Sequence, residues 1–156
     1  MKHSPLVSII AIAYNHEEFL EEALDSIIAQ TYPEIEIVLV DACSKDQSVS
    51  KIKTWIARNP GVKVKTIFQS STKKITENAN DALKLVEGEY YQILSCDDVL
   101  LPHKIQDQVK VFQESDEKLG VVYCDAEKID RENKSMQVPT FFRRGIGLQL
   151  PNCLLG

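Results

Sequence analysis

Asp97 and Asp98 stand side by side at the end of an apolar run, Tyr90-Tyr91-Gln92-Ile93-Leu94, built from the aromatic and branched residues that strands prefer. Two adjacent ionised carboxylates repel each other, so a fold that fixes them at a strand end offsets the cost with a cation or a hydrogen-bonding ligand. Their oxygens suit Mg2+ or Mn2+, hard ions that commonly share the phosphates of a ligand. The plainer alternative is that both residues cap the helix that begins near Pro102.

The elements that must position this pair follow from the hydrophobic pattern. Leu6 to Tyr14 is nearly continuous in apolar residues, as expected of a strand buried on both faces of a parallel sheet. Asn15 then reads as a helix cap with Glu18 at the capping-box position, ahead of a helical stripe of Phe19, Leu20, Ala23, Leu24, Ile27 and Ile28. Ile35 to Val40 is a second strand, stopping at Asp41-Ala42-Cys43-Ser44-Lys45-Asp46, and Val49, Ile52, Trp55 and Ile56 mark the next helix, closed by Asn59-Pro60-Gly61. Val62 to Phe68 reads as strand three. Ile75, Ala79, Ala82, Leu83 and Val86 mark a third helix, ended by Gly88. After the aspartates come a helix opened by Pro102, with Ile105, Val109 and Phe112 inward, and a fifth strand at Val121 to Tyr123. Beyond Cys124 the alternation gives way to a hairpin, Asp125 to Asp130 and Ser135 to Phe142, turning at Arg131-Glu132-Asn133-Lys134.

Alternating strands and helices imply an α/β fold with a mainly parallel sheet and helices on both faces. In such sheets ligands bind beyond the carboxyl ends of the strands, where the strand order reverses. That edge would gather Tyr14 and Asn15, Asp41, and Asp97 with Asp98: an aromatic plate, a lone acceptor and a metal-binding pair. Their convergence points to a nucleotide site. Taken singly, Tyr14 could be an ordinary strand-end aromatic and Asp41 a cap for the second helix. His3, His16 and His103 read as solvent-facing, Trp55 as core, and Cys43 and Cys96 as inert thiols.

With 156 residues, 44% of them hydrophobic, the chain is long enough for a domain with its own core. A net charge of −5 argues against nucleic acid as a partner, because no surplus of Lys and Arg is available to offset phosphates. Four widely spaced cysteines without CxxC pairing point to reduced thiols and a cytoplasmic location rather than a zinc site. No apolar run reaches the roughly 20 residues of a membrane helix.

Several blocks, in order and in register over about residues 6 to 130, resemble the family 2 glycosyltransferases, inverting enzymes of the GT-A fold. They are Val7-Ser8-Ile9-Ile10-Ala11-Ile12-Ala13-Tyr14-Asn15, Ala29-Gln30-Thr31-Tyr32-Pro33, Ile37-Val38-Leu39-Val40-Asp41-Ala42-Cys43-Ser44-Lys45-Asp46, and Gly88-Glu89-Tyr90 leading to Leu94-Ser95-Cys96-Asp97-Asp98 and Leu101-Pro102. The resemblance implies a GT-A, Rossmann-like half at residues 1–130 that binds a nucleotide-sugar donor, a UDP-sugar, with Mg2+ or Mn2+. Residues 131–156 would begin an acceptor-side segment. It further implies that Tyr14 lies against the nucleobase, with Asn15 beside it, that Asp41 accepts the ring N–H, that Asp97 ligates the ion on the diphosphate, and that Asp98 faces the donor sugar or ribose. Ser95 stands where the first aspartate of the family's D-x-D is expected, leaving a hydroxyl for hydrogen bonding. Ile12 and Ala13 replace its P-T pair, and Ala42-Cys43 its D-G. Ala79-Asn80 stands where an Arg-Asn step commonly reaches the diphosphate, with Lys73 or Lys74 as substitutes.

The expected reaction moves a sugar, with inversion, onto a saccharide or lipid-linked acceptor in bacterial cell-surface polysaccharide or glycolipid synthesis, at the inner face of the membrane in the full-length protein. Direct displacement needs a general base at the acceptor hydroxyl. Nothing after residue 130 matches one, so the base is expected beyond Gly156 and the 156-residue chain alone is expected to transfer little. A non-catalytic nucleotide-binding module and a nucleotidyltransferase-like domain stay open as alternatives. The latter usually carries a Gly-rich basic loop after strand one, which Tyr14-Asn15-His16-Glu17 is not.

Overall fold

A computed structural model describes residues 4–115 and 119–137. The chain divides into two compact units, Met1–Glu114 and Ser115–Gly156. The first unit alternates β1 (Val7–Ala13), α1 (Leu20–Ile28), β2 (Ile35–Asp41), α2 (Ser48–Arg58), β3 (Val64–Phe68), α3 (Ile75–Leu83), β4 (Tyr90–Ser95) and α4 (Lys104–Glu114). Among the described residues the strands form one parallel sheet in the order β3-β2-β1-β4. This is the expected α/β, Rossmann-like sheet.

The burial of each strand follows its place in that order. β1 lies between β2 and β4, and all seven of its residues are buried, which is why its sequence is apolar without alternation. β3 and β4 flank the central pair and are only partly buried. On one face Ile9, Ala11, Ile37, Leu39 and Leu94 pack with Leu20, Leu24 and Ile27 of α1, Ile52 and Trp55 of α2, and Ile105 and Val109 of α4. The other face, from Ile10, Ile12, Val38 and Val40, is covered by α3 through Ala79, Ala82 and Leu83. Trp55 is core as expected, and its indole N–H donates to Asp25 Oδ1 at 2.7 Å.

At the amino ends of the strands a buried polar knot sets their order. Glu36 is 2% exposed and accepts from Ser8 Oγ at 2.6 Å, Lys65 Nζ at 2.9 Å and the Glu87 N–H at 2.8 Å, so one carboxylate ties β1, β2, β3 and the approach to β4. Burial would raise the Glu36 carboxyl, but these hydrogen bonds outweigh it and hold it below the ordinary glutamate value. Gly88 donates its N–H to Ser8 Oγ at 2.9 Å. A Cβ there would fall 2.7 Å from both Ser8 N and Tyr90 O. Gly88 is thus needed for close approach of two backbones and does not end α3, which stops five residues earlier at Leu83.

Two expectations for the second unit resolve differently. Val121 to Tyr123 is not a strand: Val121 is 70% and Tyr123 55% exposed, so the apolar triplet that suggested a buried strand is not buried. The hairpin turn does form, with an antiparallel bridge between Ile129 and Ser135. Asp130 Oδ1 accepts the Glu132 and Lys134 N–H groups at 3.0 and 2.9 Å and so closes the turn. Residues 138–142 of the expected second arm lie outside the described residues.

Candidate functional site

Strand order and register bring the chemistry-bearing loops together. The chain runs outward from β1 to β2 to β3 and then returns to the other side of β1 for β4, so the order reverses between β1 and β4. Ala13 is level with Asp41, and Ile12 with Ser95. The ladders continue one step past the strands, through Ala42 N–H to Ala13 O at 2.9 Å and Cys96 N–H to Ile12 O at 3.0 Å. Tyr14, Asp41 and Asp97 therefore leave the sheet at one edge, at the switch point where ligands of parallel sheets bind.

The first two loops are stapled to each other. Asn15 takes a left-handed backbone, φ 56, which asparagine tolerates. Its N–H donates to Ser44 Oγ at 2.9 Å, and its Oδ1 accepts the Lys45 N–H at 2.7 Å. Asn15 is not the cap of α1: that helix starts at Leu20 without a side-chain cap, because the carboxamide is already committed to the neighbouring loop. His16 N–H donates to Ser48 Oγ at 3.0 Å, Glu17 N–H to Asp46 Oδ2 at 3.0 Å, and Gln47 N–H to Glu17 Oε2 at 2.6 Å. Burial would raise the Asp46 carboxyl, yet the hydrogen bonds from Ser48 and the backbone hold it low.

The loop carrying the aspartates is held from beneath by the end of α1. Leu100 N–H donates to Ser26 Oγ at 3.1 Å, while Gln30 bridges the Leu101 carbonyl at 2.9 Å and the Ile105 N–H at 3.1 Å. The Gln30-Thr31 block noticed in the sequence thus does positional work for Asp97 and Asp98. Desolvation, with the neighbouring Asp97 charge added, raises the Asp98 carboxyl, and His16 opposes the rise. Cys96 is fully buried, and burial with the charges of Asp97 and Asp41 pushes its thiol up to about 12. It is inert, as expected.

Between these loops and α3 lies a cleft of about 350 Å³, lined by Ile12, Tyr14, His16, Ala42, Asn78 and Ser95 among others. Tyr14 is 45% exposed and presents an aromatic surface there. His16 was expected to face solvent; instead its side chain is only 20% exposed, with Nε2 3.9 Å from Asp97 Oδ2. His103 is exposed as expected, and His3 lies outside the described residues. Lys73, a proposed stand-in at the diphosphate, also lines the cleft, with its Nζ paired to Asp81 Oδ2 at 2.6 Å. Ala79, which stands where the resemblance would put an arginine reaching the diphosphate, is partly buried against the core.

Three buried side-chain atoms among the described residues lack a hydrogen-bond partner: His16 Nδ1, Asp41 Oδ1 and Asn78 Oδ1. Buried polar atoms are nearly always paired with protein or water, and all three of these orphans lie around one sheet edge. Asp41 is 1% exposed; its Oδ2 accepts the Cys43 and Ser44 N–H groups at 3.1 and 3.0 Å, which leaves Oδ1 free to accept. Asn78 was missed in the sequence because the α3 stripe was traced through its apolar members. Its position four residues before Ala82 puts a polar residue on the buried face of α3, whereas Ile75 of the expected stripe is 69% exposed.

A divalent ion fits the other lip of the site. Asp97 is half-exposed, and Asp98 follows it, giving hard carboxylate oxygens. Among the described residues no group of three or more His, Cys, Asp or Glu side chains could hold a metal. One or two carboxylates completed by phosphate oxygens and water is the usual way Mg2+ is held beside a nucleotide.

The sequence profile of glycosyl transferase family 2 matches residues 8–153. The chain belongs to this family. A relative, an uncharacterized glycosyltransferase of Rickettsia typhi, is 38% identical over 134 residues, which cover 86% of this chain and 40% of the relative. Another from Nostoc sp. is 38% identical over 117 residues, 75% of this chain and 35% of the relative. The chain thus spans about 40% or less of the length of these relatives. Among solved GT-A glycosyltransferases, it is similar to the mannosyltransferase PcManGT of Pyrobaculum calidifontis in complex with GDP-Man and Mn2+, at TM-score 0.67 and 28% identity over 70% of this chain and 32% of that one. It is also similar to TarS 1–349 of S. aureus in complex with UDP-GlcNAc, at TM-score 0.64 and 29% identity over 70% of this chain and 31% of that one. Both the family and the α/β fold expected from the sequence motifs hold.

Proposed function

We propose that this domain holds the nucleotide-diphosphate sugar donor, a UDP-sugar, of an inverting and metal-dependent glycosyltransferase. The observation that carries the reading is the free, buried Asp41 Oδ1 beside an aromatic cleft at the sheet's switch point, which suits a ring N–H stacked near Tyr14. Ser95 offers its hydroxyl to the ribose, Asp97 an oxygen to Mg2+ or Mn2+ at the diphosphate, and Asp98 an acceptor to the donor sugar or ribose. Asn15 keeps the loop that bears Tyr14 in place. A bound divalent ion supplies positive charge where the departing diphosphate develops negative charge. The protein's own part is to orient the donor so that its anomeric carbon faces a saccharide or lipid-linked acceptor. For the longer protein the reading extends to cell-surface polysaccharide or glycolipid synthesis on the cytoplasmic side of the membrane; the comparisons themselves support glycosyl transfer.

The test is titration calorimetry of the 156-residue chain with UDP, with and without Mn2+, beside an Asp97→Ala variant. Metal-dependent binding by the wild type that disappears in Asp97→Ala supports the reading. Absence of binding by the folded wild type overturns it in favour of a module that has lost its donor. Replacement of UDP by GDP checks the base.

A further inference from the structure

Asn78 is 1% exposed on the face of α3 that packs against Ile10, Ile12, Val38 and Val40, where its neighbours on the stripe are Ala79 and Ala82. An apolar residue would suit that position better. The carboxamide has one long hydrogen bond, Nδ2 to Lys73 O at 3.4 Å, and its Oδ1 has none. Burial of an acceptor without a partner destabilises a fold, and the group lines the cleft shared with Tyr14, His16 and Ser95. An acceptor held there needs a donor from whatever enters.

The chemistry of the proposed ligand says which part that is. A diphosphate has only acceptor oxygens and gives nothing to Asn78 Oδ1 while Nδ2 is turned to Lys73 O, and the Asp97 and Asp98 carboxylates that would hold a metal ion do not line this cleft. A nucleoside has both N–H and O–H donors. Asn78 Oδ1 and the Tyr14 ring line the same space, an acceptor beside an aromatic surface. We propose that Asn78 is a nucleoside-binding residue: with the single uracil N–H given to Asp41, its Oδ1 accepts a hydrogen bond from a ribose O–H of the donor and helps to hold the nucleoside. This rests on the donor-binding reading above.

Two near-isosteric variants of the 156-residue chain test it: Asn78→Leu, which removes the acceptor, and Asn78→Asp, which keeps one. Calorimetry with UDP and Mn2+ is paired with thermal unfolding. Asn78→Leu should weaken UDP by about tenfold, the weight of one buried ligand hydrogen bond, while its Tm equals or exceeds that of the wild type. Asn78→Asp should bind UDP more tightly than Asn78→Leu. With 2′-deoxy-UDP, a wild-type penalty that vanishes in Asn78→Leu assigns the partner to the 2′-O–H, and an unchanged or absent penalty assigns it to the 3′-O–H. UDP affinity in Asn78→Leu within twofold of wild type, Asn78→Asp as weak as Asn78→Leu, or a lower Tm in Asn78→Leu would overturn the assignment. Wild-type protein that binds neither UDP nor GDP removes the underlying donor reading, whereas intact wild-type binding with unaffected variants removes only the role of Asn78.

Discussion

Asn15 Oδ1 accepts the Lys45 N–H at 2.7 Å, so the loop after β1 and the loop after β2 form one rigid lip. The residue does two jobs at once, a left-handed backbone at φ 56 and a bond across to the neighbouring loop. Replacement separates them. Asn15→Ala loses both and should cost about 1–3 kcal/mol, while Asn15→Gly keeps the backbone and should cost less. Urea unfolding measures both; equal losses would mean that backbone conformation contributes nothing. Both variants should also weaken UDP, since Tyr14 rides on this lip.

Cys43 takes φ 70, a conformation that favours glycine, with its N–H donating to Asp41 Oδ2 at 3.1 Å. Cys43→Gly keeps that N–H and relieves the left-handed strain, against a smaller gain in chain entropy when unfolded. A net stabilisation of about 0.5–1 kcal/mol is expected. A shift of the urea midpoint to lower concentration would refute it.

The Glu36 knot gives the fold an acid limit. Its carboxyl is held below its ordinary value of 4.5, so the folded state binds a proton less readily than the unfolded chain. Its contribution is complete above 4.5 and is lost as the pH falls through the lower folded value. Glu36→Gln should be less stable near neutrality, and its stability should fall less steeply below about pH 4.5 than that of the wild type. Unfolding midpoints across that range decide this, and parallel curves for the two proteins would exclude the knot as an acid trigger.

Much of the fold was legible because its signals are local. The apolar runs of β1 and β2 and the stripes of α1, α2 and α4 need only the periods of strand and helix to be read. The misread elements fail for reasons of context. Gly88 resembles a helix terminator in sequence, but its lack of a side chain serves contact with Ser8, eighty residues away. Val121 to Tyr123 has strand composition with no burial to use it. Asn15 has cap chemistry that is spent on Lys45 instead.

The sequence by itself determined the family and the α/β alternation, since both depend on residue types at fixed spacing along the chain. It also singled out Tyr14, Asp41 and Asp97, whose chemistry is visible one residue at a time. Only the tertiary structure decided which polar groups are left without partners. Whether Asp41 Oδ1 and Asn78 Oδ1 are satisfied depends on neighbours contributed by distant segments, and whether His16 faces water or Asp97 depends on where β4 returns beside β1. Hydrogen-bond satisfaction is a property of three-dimensional packing, and no local pattern encodes it.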